Sequence, residues 1–246
     1  MPRTLFEEAL ARLHTDLAEM GRRVDTLMQD AFQCLKSMDV PLAKRVIPRD
    51  AEINTMEKTI EHSCMNLLAL QQPLARDLRV ITATLKILTD MERVADQCAD
   101  ICEILSTVSG MTQQTASPRL LLMFSKARAM FSGALDAYLK RDAEAARAIC
   151  AMDDEVDSLF SATVLDLCGR LERHSSAVPE SVDFMFIAKY IERIGDHATN
   201  IAEWAIFVET GVHPNLNDAA LSGNQTGPAP DETAENPLDN PPAQDI

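Results

Sequence analysis

Two segments of this 246-residue chain repeat each other one hundred residues apart. Residues 92–103 read ERVADQCADICE and residues 192–203 read ERIGDHATNIAE, with five identical positions, three of them acidic. Carboxylate oxygens are the ligands that hard divalent or ferric cations prefer, and side chains four residues apart on a helix lie about 6 Å apart at Cβ. The repeated pattern therefore predicts two cation-binding surfaces in one molecule.

The period of an α-helix places these acidic side chains on one face of each copy. At 100° per residue they fall within an arc of roughly 100°, and apolar side chains occupy the opposite side, where they face the core. The arcs hold Glu92, Asp96, Asp100 and Glu103 in the first copy and Glu192, Asp196, Asn200 and Glu203 in the second. His197 points away from its arc, so we expect it to pack or to lie exposed rather than to bind a metal ion.

A second repeated element adds polar side chains from another helix. Asp50 and Asn54 align with Asp153 and Asp157, and each pair lies on the middle helix of its half. Like charges four residues apart destabilise a helix by about 0.2–0.5 kcal/mol per pair, so something cationic should compensate them. The arginine beside each repeated glutamate is one candidate, and a bound metal ion is the other. An acidic face that is simply solvated is the alternative interpretation.

No catalytic motif accompanies the carboxylates. The chain contains no E-x-x-H, no HExxH, no Walker loop and no G-x-S-x-G, and no nucleophile stands beside a base. We therefore expect that the chain is not an enzyme. Two other functions stay open: a metal-dependent di-metal hydrolase, in which the carboxylates hold cations that activate water, and a plain structural bundle that forms a homodimer.

The composition limits the partners and the compartment. A formal charge of −15 argues against nucleic acid or an anionic membrane as a direct partner, so we expect membrane contact only through other proteins. No run approaches the ~20 apolar residues of a membrane helix, and the N-terminal segment is acidic, unlike a secretory signal. We expect a cytoplasmic protein. Its six cysteines form no C-x-x-C pair and should be buried free thiols.

Apolar residues recur with a helical period over most of the chain, and few aromatic residues are present. Six helices are predicted, with Pro48 kinking the second. Their approximate bounds are 4–38, 42–70, 73–108, 118–140, 142–173 and 179–210. The fold class is therefore all-α, with two tandem three-helix bundles related by internal duplication. The predicted domains are residues 1–109, a connector over 110–117, residues 118–214, and a disordered, acidic, proline-rich tail over 215–246.

At the repeated segments the chain resembles the PhoU family of phosphate-signalling regulators. The element E-R-(I/V)-(G/A)-D, with Asn or Asp four residues later, is similar to the paired E(D)xxxD signature of that family. Further similarity lies in residues 42–47, 50–57, 72–73 and 77–79, and the whole resemblance spans about Thr4 to Thr210.

The resemblance implies a cytosolic regulator of phosphate homeostasis, often a homodimer, with no reaction of its own. Such a regulator restrains the phosphate-starvation response between a Pst-type phosphate ABC transporter and a PhoR-type sensor histidine kinase. The resemblance also implies a metal ion or cluster on the acidic signature, with iron, zinc and manganese all open. The candidate ligands are Asp50, Asn54, Glu92, Asp96 and Asp100 in the first half and Asp153, Asp157, Glu192, Asp196 and Asn200 in the second.

Two departures from the signature favour the second half as the metal site. Ala95 stands where the family usually has the glycine that Gly195 provides in the second half. Asn54 stands where the second half has the carboxylate of Asp157, so the middle helix contributes less negative charge to the first site than to the second.

Overall fold

The computed structural model describes residues 3–71, 73–107, 116–173 and 178–214. Every element within these ranges is helical. The helices are α1 (Arg3–Ser37), α2 (Val40–Val46), a 3-10 turn (Ile47–Arg49), α3 (Asp50–Gln71), α4 (Ala75–Thr107), α5 (Pro118–Lys140), α6 (Ala143–Cys150), α7 (Asp153–Arg173) and α8 (Val178–Thr210). Most of the predicted connector and all of the predicted tail lie outside the described residues.

The helices form two bundles of the same topology, as the periodicity predicted. In each bundle two long helices enclose a middle segment: α1 and α4 pack with α3, and α5 and α8 pack with α7. Buried apolar side chains recur at helical spacing, such as Leu17, Met20 and Val24 in α1, and Ile187, Ile191 and Ile194 in α8. The prediction of two tandem helical bundles is confirmed.

The middle segment of each bundle is two helices rather than one. Asp39 caps α2 by accepting a hydrogen bond from the backbone N–H of Leu42 at 2.9 Å, and Asp142 caps α6 in the same way. Pro48 lies in the 3-10 turn that ends the first short helix, because proline lacks the N–H that an α-helix needs.

The prediction of a continuous helix from Asp142 to Arg173 is wrong. The chain turns at Ala151 and Met152, where no proline marks the break, and the backbone N–H of Met152 donates to the carbonyl of Ile149 at 2.9 Å. The two breaks have the same consequence. Asp50 and Asp153 become the first residues of α3 and α7, where the helix dipole favours a negative charge.

The two bundles pack against each other through α4 and α8 and through α1 and α5, and residues 1–214 form one compact unit. A two-pronged ion pair joins α5 to α1, because Arg128 donates to both carboxylate oxygens of Asp25, at 2.8 and 2.9 Å. Ser132 donates to the same carboxylate at 3.1 Å.

Four of the six cysteines are buried free thiols, as predicted: Cys34, Cys64, Cys98 and Cys102. Cys150 is half-buried. Cys168 is exposed, which corrects the prediction for that residue, because the apolar pattern of α7 extends beyond the side that packs. None of the helices in the described ranges contains a continuous apolar stretch of the length that a membrane span requires.

Candidate functional site

The first carboxylate cluster joins the start of α3 to the middle of α4. Burial raises the pKa of Glu92, and the carboxylates of Asp96 and Asp50 raise it further. Burial likewise raises the pKa of Asp96 and of Asp100, and Asp50 adds to the shift at both. Glu57, two turns further along α3, belongs to the same cluster, since burial raises its pKa and the carboxylate of Glu92 raises it further. The structure therefore brings four of the predicted ligands together.

Arginines compensate this first cluster. Arg93 Nε lies 3.5 Å from Glu92 Oε2, and Arg93 Nη1 lies 3.6 Å from Asp96 Oδ2. Arg193, which belongs to the second bundle, acts on Asp100 and lowers its pKa against the effects of burial and of neighbouring carboxylates. The first cluster thus has cationic side chains from both bundles beside it.

The second carboxylate cluster joins the start of α7 to the middle of α8. Desolvation, together with the carboxylates of Glu192, Asp153 and Asp157, raises the pKa of Asp196 to about 6, while Lys189 opposes this shift. Burial and Asp157 raise the pKa of Asp153 as well. The structure therefore brings together all four predicted carboxylate ligands of the second half.

A single lysine is the cation paired directly with this second cluster among the described residues. The ammonium group of Lys189 forms an ion pair with Glu192 and lies 5.5 Å from the centre of the Phe160 ring. The side chains of Glu92 and Glu192 are only 17% and 14% exposed, whereas Asp157 and Asp196 are exposed, so the glutamate of each repeat is the covered member of its acidic face.

Gly195 lets α7 approach α8 closely. A Cβ atom at this position would lie 3.3 Å from Val156 Cγ1 and 3.5 Å from Asp153 Oδ1. The equivalent position in the first bundle is Ala95, whose methyl group is fully buried there. Glycine at this point of the repeat therefore brings the Asp153 carboxylate against the backbone of α8.

Asn200 does not face the carboxylates with which the sequence grouped it. Its Nδ2 donates to Asp90 Oδ1 of the first bundle at 3.2 Å, and His197 Nδ1 lies 2.9 Å from the same oxygen. His197 packs, as predicted. The sequence did not predict Asp90 as a site residue, because Asp90 lies off the acidic arc of α4 and has Tyr190 as its counterpart in the second copy.

Glu203 is also displaced from the predicted exposed arc, because it is 7% exposed. Burial raises its pKa, and Asp153 and Asp90 raise it further. Glu203 therefore lies between the second cluster and the junction of the two bundles. Helical periodicity alone could not show this, because the arc of α8 that holds Glu203 is covered by neighbouring helices.

The donor atoms suit a hard cation. Asn54 Oδ1 in the first cluster is buried without a hydrogen-bond partner among the described residues. Such an atom calls for a water or an ion. In the second cluster the Thr199 hydroxyl stands beside Asp153 and lowers the pKa of that carboxyl against the effect of burial. Within the described ranges, no three His, Cys, Asp or Glu side chains converge closely enough to hold a metal ion as they stand. Metal binding by either cluster therefore stays a prediction.

Comparison with known proteins accounts for the repeated architecture. The model of the PhoU domain matches residues 17–105 and again residues 120–205, so each bundle carries one copy of the domain and one carboxylate cluster. The chain belongs to the PhoU family. The resemblance seen in the sequence is thereby confirmed over both halves.

Relatives of this PhoU-family chain align along most of its length. A phosphate-specific transport system accessory protein PhoU homolog from Clostridium acetobutylicum is 36% identical over 219 residues, which are 89% of this chain and 100% of the relative. A homolog of the same description from Burkholderia is 34% identical and covers 84% of this chain and 89% of the relative.

Solved structures of PhoU proteins share the fold. The crystal structure of PhoU from Pseudomonas aeruginosa superposes with a TM-score of 0.79 at 30% identity, covering 84% of this chain and 100% of that protein. The phosphate transport system regulatory protein PhoU from Streptococcus pneumoniae gives 0.79 at 27% identity, covering 85% and 98%.

Proposed function

We propose that this chain is a cytoplasmic accessory protein of a Pst-type phosphate ABC transporter and a negative regulator of the phosphate-starvation response. It couples the transporter to a PhoR-type sensor histidine kinase by binding, as a homodimer, and catalyses no reaction. The observation that carries the proposal is the alignment with accessory proteins of phosphate-specific transport along both bundles, including the full length of the Clostridium acetobutylicum relative.

The carboxylate clusters give this regulator two charged surfaces, one on each bundle. In the second cluster Asp153, Asp157, Glu192 and Asp196 would hold a metal ion, with iron, zinc and manganese as candidates. A bound cation would neutralise the acidic side chains and tie the start of α7 to the middle of α8. The first cluster, beside which arginines already stand, would serve as a surface for a partner protein.

The regulatory role is tested by deleting the gene and measuring alkaline phosphatase activity in phosphate-rich medium. Without the regulator, we expect the activity to rise to the level that phosphate starvation produces, and a plasmid-borne copy to restore repression. Unchanged activity in the deletion strain would overturn the proposal. A copy with Cys168→Ser, an exposed residue far along α7 from Asp153, should restore repression fully and serves as the control for the rescue.

A further inference from the structure

Three arginines meet at the end of the molecule where α4 begins and α8 ends. Arg76 and Arg79 lie in the first turns of α4, and Arg141 directly follows α5. Arg76 Nη2 and Arg141 Nε each lie 3.9 Å from the same oxygen, Oε1 of Glu209 on α8. At this distance the charged groups form an ion pair but no hydrogen bond. We call these four residues the arginine corner.

Unsatisfied polar atoms gather at this corner. Arg79 Nε and Glu209 Oε1 are both buried without a hydrogen-bond partner among the described residues. Buried polar groups are nearly always hydrogen-bonded, so a donor and an acceptor that both lack a hydrogen bond at one place indicate that a ligand with both kinds of group belongs there.

The internal duplication does not explain the corner. The position of Arg79 corresponds to Pro179 in the second copy, and the position of Arg141 corresponds to Met38 in the first. Met38 and Arg141 share the same left-handed backbone, with φ of 53° and 57°. The fold therefore repeats the turn, while only one of its two copies carries the arginine.

Capping of α8 accounts for only one of the arginines. The guanidinium group of Arg79 lies under the end of α8, with Nη1 3.1 Å from the point where a Cβ of Gly211 would stand, and a cation suits a helix C-terminus. The side chains of Arg76 and Arg141 are 63% and 37% exposed, and both stop short of hydrogen-bonding Glu209. They are available to a ligand from solution.

We propose that the arginine corner binds hydrogen phosphate. Guanidinium groups donate paired hydrogen bonds to phosphate oxygens, which would satisfy the arginines. The carboxylate of Glu209 needs a donor, and hydrogen phosphate has one in its P–O–H group. Sulfate carries no proton at neutral pH, so its oxygens would face the Glu209 carboxylate with like charge. The corner thus has the groups that distinguish a protonated oxyanion from an unprotonated one.

This site lies apart from the carboxylate clusters, so it does not depend on the proposed regulatory role, although direct phosphate binding would deepen that role. It is tested on the purified full-length chain by isothermal titration calorimetry with sodium phosphate or sodium sulfate. The titrations use matched ionic strength and a chelator, because bound metal at the carboxylates could also bind phosphate. We expect saturable binding of phosphate and binding of sulfate that is at least about tenfold weaker.

The informative variant is Arg141→Gly. Glycine adopts the left-handed backbone of this position without strain, so the variant should fold while losing one guanidinium group. We expect its affinity for phosphate to fall by about tenfold or more. Lys140→Gln is the matched control, since it removes one positive charge at the adjacent residue, which pairs with Asp136 rather than with Glu209, and should leave the affinity unchanged.

Glu209→Gln sharpens the test, because a neutral amide no longer repels an unprotonated oxyanion. The variant should bind sulfate more tightly than the unmodified chain does and discriminate less between the two anions. The proposal is overturned by an absence of saturable phosphate binding, by equal affinity for sulfate in the unmodified chain, or by equal losses in Arg141→Gly and Lys140→Gln. A chain that gave any of these outcomes could still repress alkaline phosphatase in the deletion strain. The proposed function would then stand without this site.

Discussion

The two carboxylate clusters occupy the same place in their bundles, yet their charges are balanced differently. In the first, Arg93 lies within 3.6 Å of two carboxylates and Arg193 acts on a third. In the second cluster the equivalent arginine, Arg193, acts on Asp100 of the first bundle, and Lys189 is the cation that pairs with Glu192. A duplicated sequence therefore fixes where the carboxylates lie, while the neighbouring helices decide how far they are neutralised.

This difference predicts that the second cluster is the stronger site for a cation. Its Asp196 has a pKa raised to about 6, first by desolvation and then by neighbouring carboxylates, with no arginine among the groups that act on it. A cation relieves more repulsion there than in the first cluster. The predictions that follow compare matched changes in the two bundles, from the largest expected effect to the smallest.

The largest effect should be on metal content. Protein purified without chelator is analysed for iron, zinc and manganese, comparing the Glu192→Ala, Asp196→Ala double variant with the Glu92→Ala, Asp96→Ala double variant. We expect the first to lose most of the bound metal and the second to keep most of it, because only the second cluster lacks a compensating arginine. Equal losses in both variants would remove the distinction between the clusters, and wild-type content in both would remove metal binding by these residues.

The junction between the bundles should give the largest change in stability. Asp90→Ala leaves the side chains of His197 and Asn200 partly buried without their acceptor, so the free energy of unfolding should fall by about 1–3 kcal/mol. Urea denaturation followed by circular dichroism measures it. Asp90→Asn keeps an acceptor oxygen and should lose less. If Asp90→Ala is as stable as the unmodified chain, the junction is not held by this carboxylate.

The clusters should also differ in how stability depends on pH in metal-free protein. The pKa of Asp196 is about 6 in the folded chain against 3.8 for an ordinary aspartate. The protonated carboxyl therefore contributes its full stabilisation below pH 3.8, and this stabilisation is lost as the pH rises through 6. At pH 7.5 the ionised carboxylate is therefore repelled. Asp196→Asn should raise the free energy of unfolding by about 0.5–1 kcal/mol at pH 7.5 and by much less at pH 4.

Asp96→Asn is the counterpart in the first bundle. It relieves repulsion from Glu92 but also removes the partner of Arg93, so its gain in stability at pH 7.5 should be smaller than that of Asp196→Asn. Chemical denaturation of both variants at the two pH values makes the comparison. A larger gain from Asp96→Asn would contradict the difference in charge balance between the clusters.

The smallest effect should come from Gly195→Ala, for which Ala95→Gly in the first bundle is the comparison. In Gly195→Ala the higher helix propensity of alanine, about 1 kcal/mol, is opposed by the close contact with Val156, so the net change in stability should be near zero. In Ala95→Gly no close contact opposes the loss of helix propensity, so the free energy of unfolding should fall by about 1 kcal/mol or slightly more. A lower Tm would show this loss. Equal and opposite shifts would show that α7 does not crowd this position.

Much of the fold could be predicted from local sequence. The apolar stripes that periodicity assigns to α1 and α8 are the buried faces, and Asp142 caps a helix at the residue where the sequence placed the start of the fifth helix. The break at Ala151 and Met152 could not be predicted in this way, because no residue there forbids a helix. It follows from packing against the rest of the bundle, which local sequence does not describe.

The candidate site divides in the same manner. The sequence by itself determined that the acidic residues of each repeat share one face of one helix, because helical spacing depends only on position along the chain. Only the tertiary structure decided that Asn200 turns to Asp90, that Glu203 is buried and that Arg193 serves the opposite bundle. These outcomes depend on which helix lies across from each face, and a neighbouring helix can be more than a hundred residues away in the chain.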